Sequence, residues 1–332
     1  MDLKVSPQKL QKIFNKCKNV KIAVVGDVML DKYVYGEVSR ISPEAPVQVV
    51  DTRSTDYKLG GASNVANNVK TLGAEPVLIG VIGDDLDGDI FLETMKKQKL
   101  TTKGIFKDTE RPTTSKTRII AHSQHILRID SEVKKNIIGK LANDLVKFFN
   151  QQLDSLEAVI LQDYNKGVLS KSVIEKIIAL SRKADKPVFV DPKFDNFFEY
   201  KNVTVFKPNR KEIQDVMGIR IDGDDSAIDI GRKLIEMINC EWLILTRGEK
   251  GMMLFDRDKR KIVVHNIPTK AIRVADVSGA GDTVISTLAV AVSGGAKIQE
   301  AIVIANHAAG LVCEEVGIVP IYKNVLLDSL SK

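Results

Sequence analysis

Apolar and polar positions alternate along this chain in two distinct ways. The run Lys21-Ile-Ala-Val-Val-Gly26 is almost continuously apolar, as expected of a strand covered on both faces. Residues 47–59 and 111–130 read differently. Stretches such as Val47-Gln-Val-Val50 and Thr117-Arg-Ile-Ile120 alternate and are rich in β-branched residues. They predict antiparallel strands exposed on one face, a small sheet standing off the main body. From about 135 a βα rhythm sets in. It predicts a helix over 138–152, a strand over 158–162, a helix over 171–184, strands over 187–191 and 203–207, and a helix over 210–217. A helix over 225–239, a strand over 242–246, a hairpin around 256–261 and two helices over 279–293 and 298–315 complete it. Repeated βα units imply an α/β fold, with a central, mostly parallel sheet and helices on both faces. With no internal repeat, low-complexity tract or Pro/Gly-rich linker, the expectation is one domain over 1–332, with lid strands from about 33–59 and 111–130.

Composition narrows the class without naming a chemistry. Among 332 residues, 44% are hydrophobic and 28% charged, ordinary values for a globular protein that buries a sizeable core. No apolar run approaches the roughly 18 residues of a membrane span. The start, MDLKVSPQKLQKIF, has scattered charges and no apolar core of a signal peptide. The three cysteines, Cys17, Cys240 and Cys313, are far apart, which argues against a disulfide framework and fits a cytoplasmic protein. The formal charge of +6 arises mostly from Lys and Arg interleaved with Asp and Glu on helices, and aromatics are only 5%. The expectation is solvated helix faces with some attraction for anionic metabolites, and no nucleic-acid or membrane partner.

Candidate chemistry concentrates in a few glycine- and carboxylate-bearing segments. Asp276-Val-Ser-Gly-Ala-Gly-Asp-Thr283 follows an extended stretch, 270–275, and opens an apolar helix. A Gly-Ala-Gly turn at a helix start leaves backbone N–H groups of Gly279, Ala280 and Gly281 free for an anion. Asp282 sits beside that site, where a carboxylate suits proton abstraction from an attacking hydroxyl; a first-turn helix cap fits it equally well. Gly60-Gly61-Ala-Ser-Asn64 opens another helix. Its glycines permit close approach of a ligand, and Asn64 suits sugar hydroxyls, although an ordinary loop-to-helix turn would read the same. Asp27 and Asp31 follow the first strand, where open α/β sheets bind ligands, and suit a polyol or, alternatively, a cap and a surface charge. Asn209-Arg-Lys-Glu212 starts a further helix. Asn209 and Glu212 could hold Mg²⁺ through water, or form a capping box. Thr246-Arg-Gly-Glu-Lys-Gly251 ends a strand and either contacts nucleotide phosphates or turns a hairpin. No GxxxxGK[ST] is present, so there is no P-loop. His122 and His125, in an expected strand, point to opposite faces and read as ordinary polar positions.

In this order, the segments resemble the ribokinase-like (PfkB) carbohydrate kinase family over essentially the whole chain: GDxxxD, GGxxxN, a lid of strands, NxxE, then GAGD. The resemblance implies a ribokinase-like fold with a small β-sheet lid. It implies Asp282 as catalytic base with Gly279, Ala280 and Gly281 as anion hole, and Asp31, Gly60, Gly61 and Asn64 at the sugar. Asn209, Arg210, Lys211 and Glu212, with Thr246, Arg247, Gly248, Gly251 and Asn306, fall to the nucleotide. ATP and Mg²⁺ are implied, room is left for a monovalent cation, and a homodimer through the lid strands is expected. Within the family, Gly26–Tyr33, Ser39–Val47, Asp163-Tyr-Asn-Lys-Gly167 and Asp191-Pro-Lys193 are similar to kinases of D-glycero-D-manno-heptose 7-phosphate, although Ser278 stands where that group has Thr. Such kinases are often fused to an adenylyltransferase carrying HxGH; none occurs in this sequence, so the likeness is to the stand-alone kinase. A substrate already phosphorylated needs cations, and Arg40, Arg118, Arg128, Lys166 and Lys193 are the candidates, with Asp163 beside them. The alternatives are a kinase of another sugar, of fructose 1-phosphate or ribose type, and a non-catalytic nucleotide- or sugar-binding regulator.

Overall fold

The computed structural model describes residues 5–122, 124–258, 261–269, 275–315 and 317–330. The chain begins with α1 (Pro7–Lys16), β1 (Lys21–Gly26), β2 (Val28–Ile41), β3 (Gln48–Gly61) and α2 (Ala62–Thr71). Next come β4 (Glu75–Gly83), α3 (Leu86–Lys97), β5 (Ile105–Asp108), β6 (Ser115–Ala121) and β7 (Gln124–Ser131). The βα series follows: α4 (Gly139–Gln152), β8 (Ala158–Gln162), α5 (Lys171–Lys183), β9 (Val188–Asp191), β10 (Val205–Phe206), α6 (Arg210–Met217) and α7 (Gly223–Ile238). The chain closes with β11 (Trp242–Thr246), β12 (Met252–Asp258), β13 (Lys261–Ile267), α8 (Ala280–Ser293), α9 (Ile298–Cys313) and α10 (Lys323–Leu330).

Among the described residues, the main sheet runs β13-β12-β11-β10-β9-β8-β1-β4-β5. It is parallel from β11 to β5, with β12 and β13 antiparallel at one edge. Alternate residues of β1 show why its sequence is apolar throughout. Ile22 and Val24 pack with α1, α2, α8 and α9 on one face, while Ala23 and Val25 pack with α4, α5 and α7 on the other. A strand buried on both sides has no polar side to alternate with. Helix α8 is buried along nearly its whole length, from Asp282 to Ala291, against α2 and α9. The carboxyl ends of β1, β8, β9 and β10 and the start of α8 therefore converge on one end of the sheet, where ligands bind in open α/β folds.

The second sheet, ordered β3-β2-β6-β7, is the predicted small sheet. Two of its features differ from the sequence expectation. β2 and β6 pair in parallel, because the chain passes through α2, β4, α3 and β5 between them. β2 also begins at Val28, directly after β1, so Asp31 lies inside a strand of the small sheet, opposite Lys58 of β3. The segment 75–108, which the periodicity left unassigned, supplies two strands of the main sheet and α3. The 203–207 strand shrinks to β10, and His122 lies in the β6–β7 turn with φ of 51°, not in a strand. The 256–261 hairpin is β12–β13; its tip, 259–260, and most of the 270–275 stretch lie outside the described residues. No described helix is long and apolar enough to cross a membrane, and the three cysteines are free and buried.

Candidate active site

The turn before α8 is built by its own polar groups. Asp276 accepts hydrogen bonds from the backbone N–H of Ser278 at 2.9 Å and of Gly317 at 3.0 Å, which hold its carboxyl below the usual range despite partial burial. Gly279 caps the helix with φ of 79°, a left-handed conformation that costs glycine little. A Cβ on Gly281 would lie 3.6 Å from Lys207 Nζ and 3.7 Å from Asp191 Oδ2. The turn thus faces a polar space with a lysine at its edge, as the anion-hole expectation requires.

Asp282, one residue into this turn, is 3% exposed. Its Oδ2 accepts from Asn64 Nδ2 at 2.8 Å, and its Oδ1 accepts from Tyr164 Oη at 2.7 Å and Gln162 Nε2 at 3.2 Å. Burial pushes its carboxyl up to about 6; the Asn64 and Tyr164 hydrogen bonds pull down, Asp191 pushes up and Lys207 pulls down. A base that is ionised at neutral pH yet still accepts a proton well is what such tuning produces. Helix capping alone would leave this carboxylate at the surface, not gripped by three side chains from α2 and the end of β8.

The neighbouring strand ends complete the cluster. Lys207 follows β10, and its side chain is 3% exposed against Asp191 at the end of β9, 2.9 Å away. Gln162 Nε2 also donates to Asp191 Oδ2 at 3.1 Å, so one amide links Asp191 to Asp282. Gln162 and Lys207 lie outside every motif, and Tyr164 and Asp191, although inside the segments 163–167 and 191–193, were not nominated for the site. A further signal is position: each lies within two residues of the end of a strand at the ligand-binding end of a parallel sheet.

In the small sheet, Asp31 of β2 is buried. Its Oδ1 pairs with Arg118 of β6, and its Oδ2 has no hydrogen-bond partner among the described residues. Burial raises its pKa, opposed by Arg118, Lys116 and Lys58. A buried oxygen without a donor is costly and invites a ligand hydroxyl. Gly60 is required beside it, since a Cβ there would meet Asp31 Oδ2 at 2.1 Å. Lys116, on the same face of β6 as Arg118, shares Glu132 with Lys166: the lysines lie 3.2 and 2.7 Å from its two oxygens.

Several nominated residues do other work. Asp27 accepts from the backbone N–H groups of Tyr164, Lys166 and Val168, which places it as a clasp on that loop, not at a polyol. Asp163 accepts from Tyr200 Oη at 2.6 Å and the Asn165 N–H at 2.7 Å; burial and the nearby Asp27 push its carboxyl up. Arg40 is exposed, nine residues along β2 from Asp31, which at the rise of an extended strand is about 30 Å away. Arg128 is exposed and grips Asp130. Neither joins the cluster in one chain.

At the start of α6, Asn209 and Glu212 form the complete capping box, each bond 2.8 Å. Thr246 bridges to Asn209. Arg210 donates to Gln214 and Ile221, and Arg247 to Asp224 at 2.7 Å, Asn266 and the Lys250 carbonyl. Asn306 donates to the Pro268 carbonyl at 2.7 Å, and Lys211 is exposed. Gly248 and Gly251 both have positive φ in the turn after β11. Arg210, Arg247 and Asn306 therefore shape the backbone of this end. Among the described residues no three His, Cys, Asp or Glu side chains gather to hold a metal. Glu212 has the oxygen chemistry for Mg²⁺ held through water, but Oε2 accepts from the Asn209 N–H and Oε1 pairs with the Lys193 ammonium, which the ion would have to displace. Asn209, with its own oxygen used in the cap, orients Glu212.

Comparisons with known proteins match nearly the whole chain. The family signature described as pfkB family carbohydrate kinase matches residues 19–322. The chain is 41% identical over 305 residues to the "Bifunctional protein HldE" of Desulfatibacillum aliphaticivorans, covering 92% of this chain and 61% of that protein. It is 43% identical over 297 residues to the protein of the same name from Nitratiruptor sp., covering 90% and 62%. The chain thus spans about three fifths of the length of these relatives. By structure it resembles Arabidopsis thaliana ribokinase complexed with ribose and ATP, at a TM-score of 0.72 and 20% identity, covering 95% of this chain and 99% of that one. Escherichia coli phosphofructokinase-2 in complex with potassium gives a TM-score of 0.72 at 14% identity, with the same coverage. These structures share the ribokinase-like fold.

Proposed function

We propose that this chain, which belongs to the pfkB family of carbohydrate kinases, transfers the γ-phosphoryl group of ATP to the anomeric hydroxyl of D-glycero-D-manno-heptose 7-phosphate. The product would be the 1,7-bisphosphate, a precursor of ADP-heptose for the lipopolysaccharide core. The observation that carries the kinase reading is the buried carboxylate of Asp282, directly after a Gly-Ala-Gly turn with Lys207 beside Gly281. A binding protein needs an anion site but has no use for a buried base in it. The heptose reading rests on the similarity of Gly26–Tyr33, Ser39–Val47 and Asp163–Gly167 and on cations beside the sugar carboxylate. Lys116, Arg118 and Lys166 would meet a phosphate at the far end of the sugar.

In this reading the sugar lies between Asp31, Asn64 and Asp282. Asp282 takes the proton as the hydroxyl oxygen attacks the γ-phosphorus in line, and the bond to the bridging oxygen of ADP breaks. The amides of Gly279 and Gly281 and Lys207 stabilise charge on the transferred group, while the Ala280 N–H, expected to join them, donates to the Val277 carbonyl at 3.2 Å. Glu212 would hold Mg²⁺ through water, and that ion neutralises phosphate charge when bound. The small sheet covers the sugar and excludes water that would otherwise take the phosphoryl group. Its other face carries Tyr57, Leu127 and Ile129, about 40–54% exposed. We assign that face to a second copy of the chain, with the mass in solution as the check: a single-chain mass at micromolar concentration contradicts it.

The test is sugar-dependent ADP release with a panel of heptose 7-phosphate, unphosphorylated heptose, fructose 1-phosphate and ribose. Highest kcat/KM for heptose 7-phosphate supports the proposal. Preference for ribose or fructose 1-phosphate replaces the substrate, and no sugar dependence removes the kinase reading.

A further inference from the structure

The two oxygens of Asp282 are not equivalent. Oδ1 accepts two hydrogen bonds, from Tyr164 Oη and Gln162 Nε2, whereas Oδ2 accepts only that from Asn64 Nδ2 among the described residues. A carboxylate oxygen presents two lone pairs in the carboxylate plane. Oδ1 is therefore filled, and Oδ2 keeps one lone pair free. Asn64, the group on Oδ2, lies in the first turn of α2, directly after Gly60 and Gly61, so Oδ2 is the oxygen on the side of these glycines. We propose that Oδ2 is the atom that accepts the sugar hydroxyl proton and that Tyr164 is a positioning residue, whose phenol fixes the carboxylate with Oδ2 toward the sugar. This inference rests on the reading of Asp282 as the base.

The loop that carries Tyr164 is built to hold that phenol still. The carboxylate of Asp27 accepts from the N–H groups of Tyr164 at 2.8 Å, Lys166 at 3.0 Å and Val168 at 3.0 Å. Arg111 adds a bond to the Lys166 carbonyl at 3.0 Å. The buried Asp27 thus acts on the base through the backbone, a role its place beside the first strand does not suggest. The phenol donates and does not take the proton, since burial and the Asp282 charge push its titration well above the ordinary phenol range. Groups facing Asp282 come from every side: Asn64 from α2, Gln162 and Tyr164 from the end of β8, Asp191 from β9, and Lys207 after β10. Lys193 sits 5.6 Å over the Tyr164 ring, and Asp31 acts on the phenol from the small sheet.

In the step itself, the O–H bond of the sugar breaks and its proton moves to Oδ2. The freed electron pair forms the oxygen–phosphorus bond, and the bond from the γ-phosphorus to ADP breaks. The base works ionised, so kcat/KM should rise with pH through about 6, where Asp282 titrates.

Tyr164→Phe removes one hydrogen bond to the charged form of Asp282. The expected result is a kcat lowered roughly tenfold or more, an unchanged KM for ATP, and an acid limb moved to higher pH, because a stabiliser of the ionised carboxylate is lost. 3-Fluorotyrosine at 164 keeps the shape and donates more strongly, so the limb should move the opposite way; it serves where the Phe variant folds poorly. Asp282→Asn runs beside them. If that variant keeps wild-type turnover, the reading of the base falls. If it loses turnover while both 164 variants match the wild type in kcat and acid limb, the base stands and this inference is overturned.

Discussion

Replacing Asp282 with Asn is expected to lower turnover by about two orders of magnitude or more, while ATP binding and thermal stability stay close to wild type. The amide keeps the shape; with its oxygen accepting from Gln162 and Tyr164, its NH2 faces Asn64, whose own amide must flip to accept from it, so the loss falls on proton acceptance. The variant also removes a buried charge whose carboxyl is pushed up by desolvation, which is why no large loss of stability accompanies it. The measurement is single-turnover phosphoryl transfer with ATP affinity determined separately. A variant within threefold of wild type would mean that the hydroxyl loses its proton elsewhere, and Asp282 would revert to a structural group.

The second large effect is on stability. Lys207 and Asp191 form an ion pair with side chains 3% and 8% exposed, at the junction of β9, β10 and the turn before α8. Lys207→Met leaves Asp191 buried without its cation, and losses of about 3–5 kcal/mol are usual for one-sided removal from such a pair. Urea unfolding should show the midpoint falling accordingly. The double variant Lys207→Met with Asp191→Asn should recover part of the loss, since no buried charge is then unpaired. A single variant within about 1 kcal/mol of wild type would show that water reaches Asp191. Activity of the double variant should stay low, because Lys207 also lies beside Gly281 where the transferred group arrives.

How much of this was legible beforehand depends on what kind of signal each residue gives. Asp282 with Gly279–Gly281, and Gly60 with Asn64, were visible because a glycine turn before a helix leaves a mark in the sequence. The structure adds the partner that no motif contains, the Asn64–Asp282 bond across 218 positions. Gln162 and Lys207 carry no such mark, and Tyr164 and Asp191 lie in segments that carry the family likeness without a role for either side chain. Each is a single polar residue at or just past the end of an apolar run, and only the strand order reveals that the ends of β8, β9 and β10 meet. Asp27 shows the reverse error: a carboxylate at a strand end suggests a ligand, yet three backbone N–H groups occupy it. Asn209 and Glu212 fit both a cap and a metal position, and the geometry fills the cap first. In the fold, the parallel pairing of β2 with β6 depends on the path through α2, β4, α3 and β5, which periodicity within either strand does not encode. β4 and α3 were missed because glycines and a run of acidic residues, Gly83-Asp-Asp-Leu-Asp-Gly88, interrupt the apolar pattern between them.

The identity of the product tests the central claim most directly. After incubation of the protein with ATP, Mg²⁺ and D-glycero-D-manno-heptose 7-phosphate, phosphorus NMR would locate the new phosphate. The account predicts one ADP per sugar and a new phosphorus resonance coupled to the anomeric proton, with the 7-phosphate unchanged. A new phosphate on any other hydroxyl, or ADP formed without a bisphosphate, would contradict it.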